Sequence, residues 1–431
     1  MNFFFKLKQQ IEVLFFEERV LDSIFRKIKL KNSKEELQQK ILIATKSDTR
    51  EGKDKIFKLL NYEFNFLKIK QLGLSPKHVK RLSELIYQSH NGKILKEEYK
   101  SLLDDFSCLQ PVSLSICNWD KIVFICNING LFKLSGICRQ KSIDYVVERY
   151  KNDQTIISTI ARFKVYLDSG DYEKANLILN KAILISKSRY VRCLHENFYN
   201  YGNIPPFKNY ELDKNKKLFS DLIANKKVAI VAPGLVDINE EVINEINSFD
   251  LIILFNYKGR KIDDRIIAPF LSYYNGESSF LLSSTFESFV NDLKFVVFKS
   301  KDLAYKEELI NTGRAKYIDR DLNQFFFSQS PNMLQIILDD ILKYKASKVK
   351  IFGVNFYLSK NIYFKGYRDS GDRDVILRGF SYHNMISQIN FVRNIYKVGA
   401  IELEQSTVDI INMDEADLLG AFESIYSNIE R

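Results

Sequence analysis

The spacing of apolar residues predicts helices over most of the first hundred residues. Between residues 1 and 105, apolar side chains recur every three or four positions with charges between them, as in the run that begins at Ile11. Ser75-Pro76 marks one helix start, because proline is well tolerated in the first helical turn. From residue 106 to 130, two short apolar runs flank Asn118-Trp119-Asp120, a pattern that favours a β-hairpin or a junction between helical parts.

An internal repeat follows in residues 131–203. The Ser-Gly pair at 135–136 recurs at 169–170, which is 34 residues further on, and this is the period of a tetratricopeptide repeat. The second copy has the packing residue, turn glycine, aromatic residue and small residue of that helix–turn–helix unit at Leu167, Gly170, Tyr172 and Ala175. Because two units bury little surface alone, we expect them to pack on the preceding helices or on the following domain. They form either a docking surface for a protein partner or a structural helical layer.

The apolar pattern changes after a charged linker at 201–220 that contains Pro205-Pro206. Continuous apolar runs, which predict buried strands, occur at 228–232, 251–255, 266–273, 295–298, 349–354 and 399–403. Helical patterns lie between them, most clearly at 331–345 and 383–396. Such alternation is typical of a mostly parallel sheet with helices on both faces.

We therefore predict three regions along the chain. A helical region covers 1–130, the tetratricopeptide-like repeats cover 131–203, and an α/β domain covers 218–431. The acidic tail from residue 405 to 431 contains the pattern of a terminal helix.

Charge and composition narrow the class of protein. The chain has 431 residues, of which 45% are apolar and 27% charged, as in ordinary soluble globular proteins. The net charge of +10 suits an anionic partner, either nucleic acid, an anionic membrane surface, or a nucleotide-sugar and an acidic glycan. The basic residues are spread along the chain without a nucleic-acid-binding motif, so we expect no nucleic-acid partner.

Cysteine usage and the N-terminus predict a cytoplasmic protein. The five cysteines all lie in the first half, are odd in number and form no C-x-x-C pair, so reduced thiols are expected rather than disulfides or a zinc site. No run approaches the roughly 18 apolar residues of a transmembrane helix, and the first residues lack the features of a secretory signal. The N-terminal segment is either a packed helix or an interfacial amphipathic helix, which would bring the protein to the inner face of the cell membrane.

Polar residues follow the predicted strands where an open α/β sheet binds its ligands. Turn, amide and hydroxyl groups occur in this position at Gly234, Asn256, Asn275, Ser330, Asn332, Asn355, Tyr357 and Tyr363. Asparagine carries both a donor and an acceptor and so suits a base edge or a sugar hydroxyl. The chain has no P-loop, no G-x-G-x-x-G after the first strand, and no D-x-D in the context of a metal-bound nucleotide-sugar.

The order and spacing of these residues resemble the small bacterial sialyltransferases of glycosyltransferase family 42. In that family a strand and a glycine turn grip the nucleotide, which matches the run KKVAIVAPG that ends at Gly234. Asparagines follow the second and third strands there, as Asn256 and Asn275 do here. A serine begins the nucleotide-facing helix of the family, which matches Ser330 or, alternatively, Asn332.

The catalytic end of the family motif has its own counterparts, within a resemblance that covers residues 226–405. The family strand that ends in an acidic-aromatic-tyrosine step, with a second tyrosine six residues later, matches Asn355, Tyr357 and Tyr363. Its catalytic histidine, at a helix start after a flexible lid, matches His383. The related retaining Kdo transferases use an aspartate near this strand end, which Asn355 cannot replace, so inversion through a histidine base is favoured.

The resemblance implies a Rossmann-like sheet and a specific reaction. N-acetylneuraminic acid would pass from a CMP-sugar, which is the donor substrate rather than a cofactor, to a lipopolysaccharide or capsule glycan, with inversion and without a metal. His383 would be the base, Tyr357 and Tyr363 would hydrogen-bond the departing phosphate, and the other matched residues would bind the donor. Basic residues of the lid could screen an acidic acceptor or the phosphate, namely Lys365, Arg368, Arg373 and Arg378.

Two alternatives remain at the sequence level. The first is a transferase for Kdo or pseudaminic acid on the same fold. The second is a non-enzymatic interaction protein whose repeats bind a partner and whose transferase domain is degenerate. The turn at Pro233-Gly234-Leu235-Val236 favours this second alternative, because the family turn has asparagine and serine side chains that are missing here.

Overall fold

The computed structural model describes most of the chain beyond residue 68. The described positions are residues 69, 72–91, 93–188, 190–192, 194–195, 198, 214–235, 238–259, 263–267, 269–274, 290–299, 307–318, 325, 327, 330–359 and 373–429. The chain forms two compact units, residues 1–92 and residues 93–431. The second unit contains both the predicted repeats and the predicted α/β domain.

Helix α1 (Pro76–Asn91) belongs to the first unit. Its buried residues include Val79, Leu82 and Ile86, spaced three and four apart, as expected of an amphipathic helix with one packed face. This helix confirms the predicted start at Ser75-Pro76, and Ser75 Oγ lies 2.7 Å from His78 Nδ1 in its first turn.

The second unit begins with five helices that precede residue 186. They are α2 (Lys96–Ser107), α3 (Ile116–Ile128), α4 (Phe132–Arg149), α5 (Ile156–Asp168) and α6 (Tyr172–Ile185). The other described helices precede, alternate with or follow the strands of the sheet. They are α7 (Lys214–Ile223), α8 (Glu240–Asn247), α9 (Glu307–Asn311), α10 (Met333–Ile341), α11 (Arg373–Tyr382), α12 (Met385–Lys397), α13 (Gln405–Asn412) and α14 (Glu415–Tyr426).

Two possibilities were predicted around Asn118-Trp119-Asp120, a hairpin or a junction between helical parts. The hairpin is wrong, because these residues form the first turns of α3. Ser115 caps the helix, and its side chain accepts a hydrogen bond from the Asn118 backbone N–H. Trp119, Ile122 and Cys126 are buried at helical spacing, so packing of this face determines the conformation. The polar residues that resembled a turn lie on the rest of the helix surface.

The two Ser-Gly pairs of the predicted repeat differ in structure. Residues 135–136 lie inside α4, whereas Gly170 lies in the turn between α5 and α6. Within the second pair of helices, Leu167 and Ala175 are buried as predicted. This pair packs on α12, since Tyr172 OH donates to the Asn390 carbonyl at 3.3 Å.

Within the part of the second unit that the structure describes, seven parallel strands form one sheet. They are β1 (Lys227–Val231), β2 (Leu251–Phe255), β3 (Phe270–Tyr274), β4 (Leu293–Phe298), β5 (Ala315–Tyr317), β6 (Lys348–Phe352) and β7 (Glu402–Leu403), in the spatial order 5-4-3-2-1-6-7. The six predicted strands are present, with β3 and β7 shifted from the predicted bounds, and β5 was not predicted.

Both faces of the sheet are covered, as the continuous apolar runs predicted. Alternate residues of β1 belong to different cores: Val228 and Ile230 pack in one, Ala229 and Val231 in the other. Ile246 of α8 packs in the second of these cores. The chain thus has the α/β architecture with a helical region before it.

Two segments of the second unit differ from the expected secondary structure. Arg373 and Arg378, which were predicted to lie in the basic lid before His383, lie instead in helix α11. The predicted helix at 331–345 is α10 followed by a 3₁₀ turn at Leu342–Tyr344. The terminal helix predicted in the acidic tail is present as α14.

The strand order reverses between β1 and β6. The chain moves outward from β1 to β5 on one side and then returns to place β6 on the other side of β1. In parallel α/β sheets, ligands bind outside the carboxyl ends of the strands where the order reverses. The residues after β1 and β6 therefore lie where a ligand is expected. Among the helices described, none has the length and apolar character to cross a membrane.

Candidate functional site

The turns after β1 and β6 approach each other so closely that glycine is required in both. Val231 pairs with Phe352, so the two strands end at the same level. A Cβ on Gly234 would lie 2.4 Å from the Gly353 carbonyl oxygen and 3.0 Å from Asn355 Nδ2. A Cβ on Gly353 would lie 2.4 Å from the Leu235 backbone nitrogen. Two predicted donor-binding residues, Gly234 and Asn355, are therefore neighbours at the strand-order reversal.

The loop after β6 has an unusual backbone. Phe356 and Tyr357 have φ values of 47° and 65°, although neither is glycine. This left-handed conformation is sterically unfavourable for residues with a Cβ and persists only when neighbouring groups hold it. One of those groups is the Asn355 side chain, whose Oδ1 accepts from the Tyr357 N–H at 2.9 Å, and whose Nδ2 donates to Ser359 Oγ at 3.3 Å.

Three side chains from the C-terminal segment bind the backbone of this loop. Glu404, which directly follows β7, accepts from the Gly353 N–H at 2.6 Å. Thr407 Oγ1 donates to the Val354 carbonyl at 2.8 Å. The Tyr426 hydroxyl donates to the Tyr357 carbonyl at 2.7 Å. We call this group the C-terminal clamp.

His383 lies in the connection between α11 and α12 and is half-buried. Its Nδ1 is 2.9 Å from the Ser330 carbonyl oxygen. A carbonyl oxygen only accepts, so Nδ1 carries the proton in this hydrogen bond. In the neutral ring, the lone pair is then on Nε2, which is the arrangement a general base requires.

Ser330 and Asn332 lie immediately before helix α10, and Ser330 contacts His383. The Ser330 N–H donates to the Tyr382 carbonyl at 3.1 Å, so both backbone groups of Ser330 hold the connection that carries His383. Asn332 is the N-cap of α10 and forms a capping box with Gln335. Its Nδ2 also donates to Gln388 Oε1 of α12. The Asn332 side chain therefore has a structural role: it caps α10 and links this helix to α12.

Asn256 directly follows β2, the strand next to β1. Its φ is 46°, a conformation that asparagine tolerates better than most residues. Its backbone N–H donates to the Tyr273 carbonyl at 2.9 Å. The predicted position at the carboxyl end of the second strand is therefore observed.

The structure brings the described site residues into two groups. Gly234, Asn355 and Tyr357 form the first group at the ends of β1 and β6. The second group consists of Ser330, Asn332 and His383. Helix α11 connects the groups, since the ring centroid of its Phe380 is 5.7 Å from that of Tyr357, and the helix ends one residue before His383.

Other predicted residues contribute differently or lie elsewhere. Asn275, Tyr363, Lys365 and Arg368 lie outside the described residues. Arg373 begins α11, and its Nε donates to the Tyr426 carbonyl at 2.6 Å. Arg378 is exposed on the same helix, where its charge is available to an anionic ligand.

The three clamp residues were not among the predicted site residues. Glu404 had a usable signal, because it follows the predicted strand 399–403 as Asn355 follows the strand before it. Thr407 and Tyr426 lie on helices of the tail and have no local motif. They reach the loop only in the folded chain, where Thr407 bonds to Val354 and Tyr426 to Tyr357.

Helix α14 also carries a buried carboxylate, Glu423, three residues before Tyr426. Glu423 of α14 accepts hydrogen bonds from Tyr99 OH and from the Lys133 N–H. Burial raises the pKa of Glu423 above its ordinary value. Within the described part of the chain, no group of His, Cys, Asp and Glu side chains has the arrangement of a metal site.

Comparison of the chain with protein-family models and with curated proteins finds no match.

Proposed function

We propose that the protein is a glycosyltransferase that moves an acidic nonulosonic sugar, most simply sialic acid, from a CMP-sugar to a surface glycan. The observation that carries the proposal is the orientation of His383 by the Ser330 carbonyl, which leaves Nε2 as the basic atom. The order of the sequence motifs supports the same conclusion, and the close turns of Gly234 and Asn355 lie where α/β sheets bind nucleotides.

In the proposed reaction, the acceptor hydroxyl oxygen attacks the anomeric carbon of the sugar while His383 Nε2 takes its proton. The bond from the anomeric carbon to the phosphate oxygen breaks, and CMP leaves with the electron pair. Attack and departure on opposite sides invert the anomeric centre. Hydrogen bonds from Tyr357 and Tyr363 would stabilise the charge that develops on the phosphate. The donor is a substrate, and the proposal requires no cofactor or metal.

The donor would lie across the carboxyl ends of β2, β1 and β6. Asn256 and Asn275 follow β2 and β3, and Asn355 follows β6, so their amides could bind the base or the ribose. Ser330 and Asn332 would face the nucleotide at the start of α10, and Gly234 would allow its close approach. This arrangement belongs to a Rossmann-like sheet, which we propose as the finer class of the fold.

The helical region would serve the acceptor or a partner. We propose that α5 and α6 are tetratricopeptide-like and that this region docks a protein partner or the lipopolysaccharide or capsule acceptor. The net charge of +10 suits an anionic acceptor at the inner face of a membrane. Under this proposal, the protein acts in the cytoplasm or peripherally on the membrane and has no nucleic-acid partner.

A non-enzymatic interaction protein is the second candidate. It is favoured by the Pro233-Gly234 turn, which lacks the polar side chains of the resembled family, and by Asn332, whose amide is engaged by Gln388. In this alternative, the ends of β1, β2 and β6 would keep the shape of a transferase site but would no longer bind the CMP-sugar.

A donor panel decides between the candidates. The full chain is titrated with CMP by calorimetry and incubated with CMP-sialic acid, CMP-Kdo or CMP-pseudaminic acid and a glycan acceptor, with products followed by mass spectrometry. Transfer from one donor, with inverted configuration, supports the proposal and selects the sugar. The absence of CMP binding, together with the absence of CMP release from all three donors, refutes it and favours the interaction protein.

A further inference from the structure

The C-terminal clamp has a feature that the proposed reaction does not explain. Its bonds go to the Gly353 N–H and to the Val354 and Tyr357 carbonyls. These groups surround Phe356 and Tyr357, which among the described residues are the one consecutive pair of non-glycine residues with a left-handed backbone. Such a conformation is retained only where the surroundings determine it from several sides. Thr407 and Tyr426 supply two of these contacts, from helices α13 and α14.

Tyr426 is itself rigidly held. Its side chain is 4% exposed, and its ring centroid lies 5.5 Å from that of Phe380 and 6.3 Å from that of Phe132. A buried tyrosine hydroxyl requires a hydrogen-bond partner, and here the partner is the Tyr357 carbonyl. The position of the Tyr357 backbone is therefore fixed by a side chain that aromatic packing prevents from moving.

The same residue also fixes the other side of the site. The Tyr426 carbonyl accepts from Arg373 Nε at the first residue of α11. Helix α11 supplies Phe380, which packs on the Tyr357 ring, and it ends just before His383. One residue of α14 thus contacts both the loop that carries the tyrosine and the helix that leads to the histidine.

We propose that Thr407 and Tyr426 are positioning residues, whose hydroxyls hold the Val354 and Tyr357 carbonyls and so aim the Tyr357 phenol at the leaving group. This inference rests on the proposed function. In this proposal, neither residue contacts the substrate. Their effect passes through Tyr357, so removing either hydroxyl should disturb the tyrosine without removing any group that binds the donor.

The test uses Tyr426→Phe and Thr407→Val, each of which removes one hydroxyl and retains nearly the whole side-chain volume. The matched control is Tyr172→Phe, which removes a phenol hydroxyl of α6 that donates to the Asn390 carbonyl of α12 and makes no bond to the loop after β6. The first readout is amide hydrogen exchange of residues 355–358. It should accelerate by about tenfold or more in both clamp variants and stay unchanged in the control.

The second readout is transfer by the full chain. We expect each clamp variant to lower kcat by about tenfold, because small misplacements of a catalytic group are costly, with CMP affinity unchanged. In a Tyr357→Phe background, adding Tyr426→Phe should have little further effect, since residues that act as a unit are not additive.

The outcomes separate the two claims. If exchange at 355–358 is faster in the clamp variants but the wild-type protein transfers no sugar, the clamp is supported and the proposed function is refuted. Unchanged exchange overturns the clamp, whatever the activity. A loss of kcat that is the same with and without the Tyr357 hydroxyl also overturns it, because the clamp residues would then act by another route. If Tyr426→Phe does not fold, Thr407→Val decides on the same readouts.

Discussion

At the scale of single residues, the site depends on the absence of side chains at the ends of two strands. Gly234 and Gly353 let the turns after β1 and β6 come within contact of each other. The Gly234 position faces the Gly353 carbonyl, which belongs to a backbone held by Glu404. Because this backbone has little freedom to move, the turn has no room for a methyl group.

Gly234→Ala should therefore displace the turn and weaken nucleotide binding. The new Cβ would lie 2.4 Å from the Gly353 oxygen, so a strain of about 1–3 kcal/mol is expected. CMP affinity should fall by about tenfold or more, as measured by calorimetry, with a lower free energy of unfolding in urea. Gly379→Ala is the control, since its Cβ meets no atom within 4 Å. This helix position should be neutral or stabilised by up to about 1 kcal/mol. Equal CMP affinity in Gly234→Ala and wild type would contradict this account of the turn.

The identities and order of several site residues could be predicted from sequence because they follow apolar strands. Gly234, Asn256 and Asn355 occupy the strand ends where pattern reading placed them. What the sequence could not show is which partners these groups already have. The Asn332 amide is bound by Gln388 of a distant helix, and Tyr426 reaches Tyr357 across 69 positions of the chain.

At the scale of elements, the secondary structure predicted from local polar residues was wrong where side-chain packing determines the conformation. Helix α3 contains Asn118-Trp119-Asp120, which resembles a turn, yet the apolar residues that surround it are spaced for a helix. Asp120 lies on this helix, where Ser142 Oγ of α4 donates to it at 2.9 Å. Burial raises the pKa of Asp120 to about 6, and the negative charge of Asp168 acts in the same direction.

Asp120 should make the stability of the second unit depend on pH. Because its folded-state pKa is raised from 3.8 to about 6, the folded protein keeps the proton while the unfolded chain loses it. Its contribution to the free energy of unfolding therefore falls as pH rises from about 4 to about 6, by up to about 3 kcal/mol. Asp120→Asn removes this penalty, so the variant should gain stability over wild type at pH 8 and less at pH 4.5.

Urea denaturation at the two pH values measures the effect. Asp104→Asn, which changes an exposed carboxylate of α2, is the control and should show no comparable gain at pH 8. A stability difference between Asp120→Asn and wild type that is the same at both pH values would contradict the assigned role of burial.

Strand β5 is a second element that the pattern of apolar residues did not predict correctly. Only three residues long, it contains Lys316, which a hydrophobicity pattern assigns to the surface. Lys316 is instead 2% exposed, and its Nζ lies 2.8 Å from Asp340 Oδ1 of α10. Tyr273 OH of β3 donates to the other oxygen at 2.7 Å. A charge is buried here because a carboxylate from another element compensates it, and that pairing has no signal in the local sequence.

At the scale of the whole second unit, the strand order assembles the site from distant segments. The order 5-4-3-2-1-6-7 makes β1 and β6 neighbours although more than a hundred residues separate them. Alternation of apolar strands and helices was sufficient to predict the parallel sheet, because each run is buried on both faces. The order of the strands could not be derived in this way, since it depends on how helices fill the two faces.

The C-terminal segment completes this arrangement. Strand β7 pairs with β6, and helices α13 and α14 place the clamp beside the loop that carries Tyr357. The acidic tail, which appeared in the sequence only as a terminal helix, is thus part of the structure that supports the site. Removal of the tail is expected to affect the site as well as the fold.

Under the proposed function, His383 is the base of a transferase that binds CMP at the strand-order reversal. His383→Ala removes the imidazole and leaves unchanged Gly234, Asn256 and Asn355, the proposed donor-binding residues that follow β1, β2 and β6. The most direct measurement compares CMP affinity and the rate of sugar transfer in this variant and in wild type. The account predicts transfer reduced by about 10²–10⁴-fold with CMP affinity within about threefold of wild type. Transfer at the wild-type rate would contradict this prediction. A folded variant that has lost both CMP binding and transfer would also contradict it.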